Sequence, residues 1–283
     1  MPGAPVPRRV QPPARRVRGL EADARLAKVI RAVVFDLDGV LLDSEQLWDE
    51  ARRAVAAAHG GRWRPQATAD MQGMSSVEWS AYMRESLGLS LDAARINELV
   101  VGELLRRFES GLPLLPGAVE AVRRIGSRWP VGLASSANRE VIDAVLERAG
   151  LDGEFAATVS SEEVPRGKPA PDVYVEAARR LGGRPRECVA VEDSENGIRS
   201  AAAAGLGVVA VPNRHYPPDP SVLQQAALVV SGLDDLTVDA VERAFGGEGE
   251  GESGLSSDRR LDEQEVESFP ASDPHSDWAG PPG

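Results

Sequence analysis

The chain reads as an α/β protein, a doubly wound parallel sheet with an all-helical segment inserted after its first strand. Three observations predict it. From residue 117 onward, short β-branched runs alternate with amphipathic stretches of helical period. The run Val33-Val34-Phe35 is apolar without alternation, as a strand buried on both faces should be. Residues 46–110 break the rhythm, with helical patterns and no strand-like run.

Taken in order, Val33 to Phe35 form the first strand, and Leu47 to His59, Ser76 to Leu87 and Leu91 to Phe108 are helices of the insert. A helix over 117–128 then leads to a strand at Val131 to Ala134, and a helix over 138–149 to a strand at Ala156 to Ser160. The helix at 171–182 precedes Val189 to Val191, and the helix at 195–204 precedes Val208 to Val211. A last strand at Leu228 to Val230 is followed by a helix over 237–245. Strands separated by helices must run parallel, because the crossover carries the chain back to the same end of the sheet. The expected organisation is therefore a core of 31–45 and 111–245 interrupted by a helical cap of 46–110.

The two ends differ from this middle. Residues 1–30 form a Pro/Arg-rich arm with seven basic groups against Glu21 and Asp23. Residues 246–283 form a Gly/Glu/Ser tail with ten acidic groups against Arg259 and Arg260. Neither has enough apolar content to offset the entropy of ordering, so the arm is expected to be flexible and the tail disordered. The net charge of −12 argues against nucleic acid as a specific partner. A single cysteine, Cys188, excludes an internal disulfide and fits a reducing compartment. No apolar run approaches the roughly 18 residues of a membrane span, and the start lacks the apolar segment of a signal peptide. A cytoplasmic monomer, with no membrane partner, is expected.

Chemistry concentrates at the ends of the expected strands. Asp36 and Asp38 follow the first strand and fall on one side of an extended chain, while Gly39 permits a sharp turn. Two carboxylates converging on one spot ask for a divalent cation such as Mg2+, for divided acid and nucleophile roles, or for both. A calcium loop of the EF-hand kind would need a Glu at the twelfth position, and Leu47 stands there. Ser135 and Ser136 follow the strand ending at Ala134, where hydroxyls and backbone amides could grip a phosphate or simply cap the next helix. Lys168 sits in Arg166-Gly-Lys-Pro-Ala-Pro-Asp172, stiffened by two prolines, and suits pairing with a carboxylate and a phosphoryl oxygen. Glu192 and Asp193 end the strand at 189–191, where adjacent acids are costly unless they hold a cation. Open sheets of this kind bind ligands outside the carboxyl ends of their strands, where all four stretches lie.

These four motifs, over about residues 32–235, resemble those of the haloacid dehalogenase superfamily, in the branch with a helical cap after the first motif. Asp36-Leu-Asp38-Gly matches the first motif, Ser135 the second, Lys168 in Gly-Lys-Pro-Ala-Pro-Asp the third and Glu192-Asp193-Ser-x-x-Gly the fourth. The resemblance implies a Rossmann-like core and a phosphotransfer enzyme. In it Asp36 attacks phosphorus to form an aspartyl-phosphate, and Asp38 protonates the leaving oxygen and then activates water. It further implies Mg2+ held by Asp36, the Leu37 or Asp38 backbone region and Asp193, with Glu192 close by, and a phosphoryl group held by Ser135 and Lys168.

Within the family an acid two residues after the nucleophile points to phosphate chemistry rather than dehalogenation. The competing reading is a β-phosphoglucomutase-like phosphotransferase. Those mutases are similar to one another in placing a His twelve positions after the nucleophile and an Arg in the cap loop near a Gly. Here Trp48 occupies the first position, and Gln72-Gly-Met-Ser-Ser76 has no Arg. The expected activity is thus hydrolysis of a small phosphomonoester, a sugar or polyol phosphate, with the segment Asp43 to Trp48 resembling sugar-phosphate phosphatases. A catalytically idle binding protein that recruits partners through its charged ends is the alternative from another class. In the cap, Trp48, Met74, Ser75 and Trp79 are candidates to face the leaving group, although such residues at helical spacing serve equally as core.

Overall fold

The computed structural model describes residues 29–71, 74–213 and 217–246. Most of the basic arm, the acidic tail beyond residue 246, and Gln72 and Gly73 of the cap loop lie outside the described residues.

Six parallel strands form one sheet in the order β3-β2-β1-β4-β5-β6. They are β1 (Ala32–Phe35), β2 (Val131–Ser135), β3 (Phe155–Ser160), β4 (Cys188–Glu192), β5 (Gly207–Ala210) and β6 (Leu228–Val229). Between β1 and β2 come α1 (Glu45–Ala58), α2 (Ala67–Met71), α3 (Ser76–Ser86), α4 (Ala93–Phe108) and α5 (Ala118–Gly126). The later crossovers carry α6 (Arg139–Ala149), α7 (Asp172–Arg180), α8 (Glu195–Ala204) and α9 (Pro220–Leu223), and α10 (Val238–Gly246) closes the core.

Successive residues of the central strands point to opposite faces, and this divides the core in two. Val33, Phe35, Leu133, Val189 and Val191 join one apolar cluster with α5, α6 and α10. Ala32, Val34, Ala134, Ala190 and Val208 join the other, with α7 and α8. Every residue of β1, β2 and β4 is buried, which explains the unbroken apolar run at Val33 to Phe35. Phe35 meets Phe155 edge to face, with ring centroids 6.4 Å apart.

The order 3-2-1-4-5 reverses direction at β1, so the ends of β1 and β4 lie side by side, Phe35 opposite Val191. That is the switch point where such a sheet opens a crevice. The cap enters and leaves beside it. Leu42 and Leu114 form an antiparallel bridge, the Asp43 amide donates to Pro113 O at 2.8 Å, and the Leu115 amide donates to Leu41 O at 2.9 Å. In the cap, α4 packs against both α1 and α3 through Ile96, Val100, Leu104 and Phe108, which repeat at i, i+4 and so form one stripe.

The observed elements differ from the sequence expectations mainly at the ends. Helix α1 starts two residues before Leu47, because Ser44 provides its N-cap position. Helices α2 and α9 span five and four residues, too short for periodicity to reveal. Among the described residues, no helix is long and apolar enough to cross a membrane.

Candidate active site

The ends of β1 and β4 set Asp36 and Glu192 next to each other, the Asp36 amide donating to Val191 O at 3.0 Å. Lys168 enters from the loop between β3 and α7. Its Nζ donates to Asp36 Oδ1 and to Glu192 Oε1, each at 2.6 Å, and Lys168 is only 4% exposed while Glu192 is fully buried. Tyr174 OH, from α7, donates to the same Glu192 oxygen at 2.8 Å. The other oxygen of Glu192 accepts from the Asp193 amide at 3.0 Å, the Ser194 amide at 3.2 Å and Ser194 Oγ at 3.1 Å. Both oxygens of Glu192 are thus engaged, and the carboxylate lies over the start of α8, where backbone amides favour negative charge. Gly197 makes room for it, since a Cβ there would stand 1.8 Å from Glu192 Oε1.

Asp36, Glu192 and Asp193 offer carboxylate oxygens that lie within 4.8 Å of one another, all buried. One ammonium faces three carboxylates. Burial pushes Asp36 up to about 8; Lys168 pulls it down, and Glu192 and Asp38 push it up again. Burial also holds Asp193 well above the usual carboxylate range, with Glu192 and Asp36 adding to it. For Lys168 burial works toward neutrality, but Asp36 and Glu192 outweigh it and raise the ammonium above its ordinary value. Asp193 Oδ1 is buried with no hydrogen-bond partner. Gly39, at φ +85°, turns the chain so that Asp193 can approach, and a Cβ on it would meet Asp193 Oδ2 at 1.8 Å. A buried, orphaned carboxylate oxygen in an all-oxygen, over-negative cluster fits a hard divalent cation.

The sign of that balance is testable in metal-free protein. A carboxyl whose folded value is raised stabilises the fold fully below its unfolded value near 4, and this stabilisation is lost as pH rises through about 8. A divalent cation binds the ionised form. Adding Mg2+ should therefore raise the thermal midpoint more at pH 8 than at pH 5.5, and an equal rise at both would contradict the assignment of Asp36 to the cluster.

Asp38 stands outside this group and turns toward the cap. Its Oδ1 accepts a short hydrogen bond from Ser44 Oγ and one of 3.1 Å from Trp48 Nε1. Ser44 is the N-cap residue of α1, yet its hydroxyl makes no capping bond, because it is turned onto Asp38. A cavity of about 50 Å3 opens between cap and core, walled by Asp38, Trp48, Met74, Trp79 and Ser136 among others. Ser135 is fully buried at the end of β2, and its Oγ accepts from the Ala137 amide at 3.0 Å. Asn138, not either serine, stands at the N-cap position of the helix that follows, and its side chain makes no capping bond. Ser75 is placed differently from Trp48 and Met74. It forms a capping box with Glu78 at the start of α3, and it meets the core where a Cβ on Gly167 would lie 3.2 Å from its own Cβ.

A second contact joins cap to core through Glu162, just after β3. Glu162 Oε1 accepts from Ser76 Oγ at 3.1 Å and from Asn138 Nδ2 at 2.6 Å, and Oε2 accepts from the Arg139 amide at 3.1 Å. Asn138 Nδ2 also donates to Asn97 Oδ1 of α4 at 3.2 Å. The same carboxylate caps α6 and grips α3.

Sequence reasoning missed Ser44, Tyr174 and Glu162. Ser44 was visible as a polar neighbour of the first motif. Tyr174 reads as an apolar position of α7 and Glu162 as a solvated loop acid, so neither carries a local signal.

The model of the haloacid dehalogenase-like hydrolases matches residues 30–205. Hexitol phosphatase B of Escherichia coli (strain K12) is 34% identical over 219 residues, covering 74% of this chain and 95% of that protein. The phosphorylated carbohydrates phosphatase of Thermotoga maritima is 33% identical, over 62% of this chain and 82% of its own. Among solved structures, β-phosphoglucomutase from Clostridium difficile superposes with a TM-score of 0.67 at 23% identity, covering 77% of this chain and 98% of its own, a likeness of fold alone.

Proposed function

The chain belongs to the haloacid dehalogenase-like hydrolases and is a phosphatase-type enzyme of that family, and from that premise we propose that it hydrolyses a small sugar or polyol phosphate in a Mg2+-dependent reaction through an aspartyl-phosphate on Asp36. The observation that carries this reading is the division of labour between two aspartates two residues apart. Asp36 lies in the buried cluster with Lys168, and Asp38 faces the cap cavity, where a leaving group would sit.

In this scheme an Asp36 oxygen attacks phosphorus while Asp38 gives its proton to the departing ester oxygen. Asp38, now ionised, then takes a proton from water as that water attacks the phosphoryl group, breaking its bond to the Asp36 oxygen, releasing inorganic phosphate and restoring the Asp36 carboxylate. Splitting the hydrolysis into two displacements and moving protons in this way is worth on the order of 10²- to 10⁴-fold for the acid/base part. Lys168 opposes charge on the transferring group while Glu192 and Tyr174 fix its position. Ser135 and Ser136, at the end of β2, would supply a hydroxyl and backbone amides to the phosphoryl oxygens. Asp36, Asp193 and the backbone near Asp38 would hold Mg2+, which supplies charge neutralisation at phosphorus. Support for a polyhydroxylated leaving group comes from the relatives, among them a hexitol phosphatase and a fructose-1-phosphate phosphatase.

The mutase alternative turns on Trp48. Its indole nitrogen only donates, and it donates to Asp38. An imidazole there could accept a proton and let a bound sugar govern the basicity of Asp38; an indole cannot. Water should then discharge the intermediate readily. Incubating β-glucose 1-phosphate with enzyme, Mg2+ and a trace of the 1,6-bisphosphate is expected to release inorganic phosphate faster than glucose 6-phosphate accumulates. The reverse order would favour the mutase.

A further inference from the structure

Helix α1 presents three residues to the cap cavity, Glu45, Trp48 and Arg52, at i, i+3 and i+7, which is one helix face. Trp48 is accounted for by Asp38. The other two have no assigned role, and their surroundings are unusual for charged groups. Arg52 is 7% exposed, and its guanidinium lies 5.2 Å from the ring centroid of Trp48 and 5.3 Å from that of Trp79. Its Nε has no hydrogen-bond partner, and no carboxylate among the described residues comes within ion-pair distance of it. Two indole faces stabilise a cation but accept none of its N–H groups. A buried guanidinium with unanswered donors is costly unless something else answers them. Glu45, about two turns away along the helix axis, is likewise without a hydrogen bond among the described residues, and it faces the same cavity.

We infer that Glu45 and Arg52 are specificity-determining residues that read the hydroxyls of a neutral polyol leaving group, Arg52 donating and Glu45 accepting. The inference rests on the phosphatase reading above and narrows its substrate class. Lining chemistry selects the polyol over a leaving group with a second negative charge. With Asp38 carrying the proton it gives to the leaving oxygen, Glu45 balances the one guanidinium of the cavity, so no surplus positive charge remains to hold an added anion. A hydroxyl both donates and accepts, and can satisfy Arg52 and Glu45 together. The faces of Trp48 and Trp79 and the side chain of Met74 provide apolar wall for the carbon chain.

The test compares sorbitol 6-phosphate, ethyl phosphate and phosphoglycolate as substrates of the full chain and of the Arg52→Met and Glu45→Ala variants. Each variant is expected to lower the ratio of kcat/KM for sorbitol 6-phosphate to that for ethyl phosphate by about tenfold to a hundredfold, the span for losing a charged hydrogen bond to substrate. The loss should appear in KM, since these contacts are made equally in the ground and transition states. Arg52→Lys keeps a cation between the indoles but not the planar fork, and should recover part of the ratio. Glu45 is less buried and unbonded, so Glu45→Ala remains informative if Arg52→Met unfolds. An unchanged ratio in both variants, or a fall in kcat alike for all substrates, would overturn the inference and leave the phosphatase reading standing. So would a wild-type preference for phosphoglycolate. A wild type that hydrolyses ethyl phosphate as well as sorbitol 6-phosphate would remove the sugar-phosphate reading and this inference together.

Discussion

Changing Asp36 to Asn is expected to abolish turnover while leaving the fold at least as stable as before. The amide of Asn has no charge to direct at phosphorus and cannot form the acyl-phosphate, so the loss in kcat should reach on the order of 10⁴ or more. Stability should move the other way in metal-free protein. Asp36 is a buried carboxyl pushed up to about 8, so at neutral pH the folded state must carry it partly protonated or leave it as an excess anion beside Glu192 and Asp193. Asn removes that conflict and can still accept from Lys168. Kinetics, phosphate trapping on the protein and a thermal midpoint in EDTA separate the two effects. Retention of more than a few per cent of wild-type kcat by a variant of verified sequence would show that another group is the nucleophile.

Changing Lys168 to Met should damage both rate and stability. Met fills the volume of the stem and deletes the ammonium that both Asp36 and Glu192 hold at 2.6 Å. Removing one partner from a buried ionic cluster costs about 3–5 kcal/mol because the remaining charges stay buried and unpaired. Tyr174 and the amides of Asp193 and Ser194 still satisfy Glu192, so Asp36 bears most of the loss. Loss of a cation aimed at the transferring group should lower kcat by about 10²- to 10³-fold. The stability defect should shrink on acidification, because protonation removes the charge that Lys168 had balanced. Denaturant midpoints in EDTA at pH 8 and pH 5 test this, and an equal defect at both would mean that Lys168 acts by packing alone.

The sheet and its order of crossovers were largely legible in the sequence. Val33 to Phe35 is apolar on consecutive positions because both faces of β1 are covered, and the same holds for β2 and β4. The end residues Asp36, Lys168, Glu192 and Asp193 could be named in advance because the carboxyl ends of parallel strands gather at one edge. The contacts that separate the carboxylates were not legible. The resemblance assigned Asp36 and Asp38 different roles, but nothing in the sequence showed that Asp38 turns to Ser44 and Trp48. Glu192 reads as a twin of Asp193, yet its oxygens are filled by Lys168, Tyr174 and the start of α8, a fact set by Gly197 rather than by Glu192 itself. Ser75 looks like a site residue beside Met74 and serves as a helix cap, which the Glu three positions later signals. The triplet Glu45, Trp48 and Arg52 had a signal in its spacing, but nothing in the sequence tells that Trp79 closes the other side of Arg52.

The paired strands of chain that lead into and out of the cap have a further consequence. Leu42 and Leu114 meet across an antiparallel bridge flanked by two backbone hydrogen bonds, so the ends of the intervening seventy or so residues lie side by side. A segment whose two ends touch imposes no distance on the scaffold that receives it, much as a domain inserted at a tight loop leaves its host undisturbed. Two hydrogen-bonded tethers also differ from one. They hold the two ends of the insert in register beside the crevice. The scaffold that holds Asp36 and Lys168 is therefore free to keep its chemistry while the inserted helices diverge, and substrate choice becomes an exchangeable part.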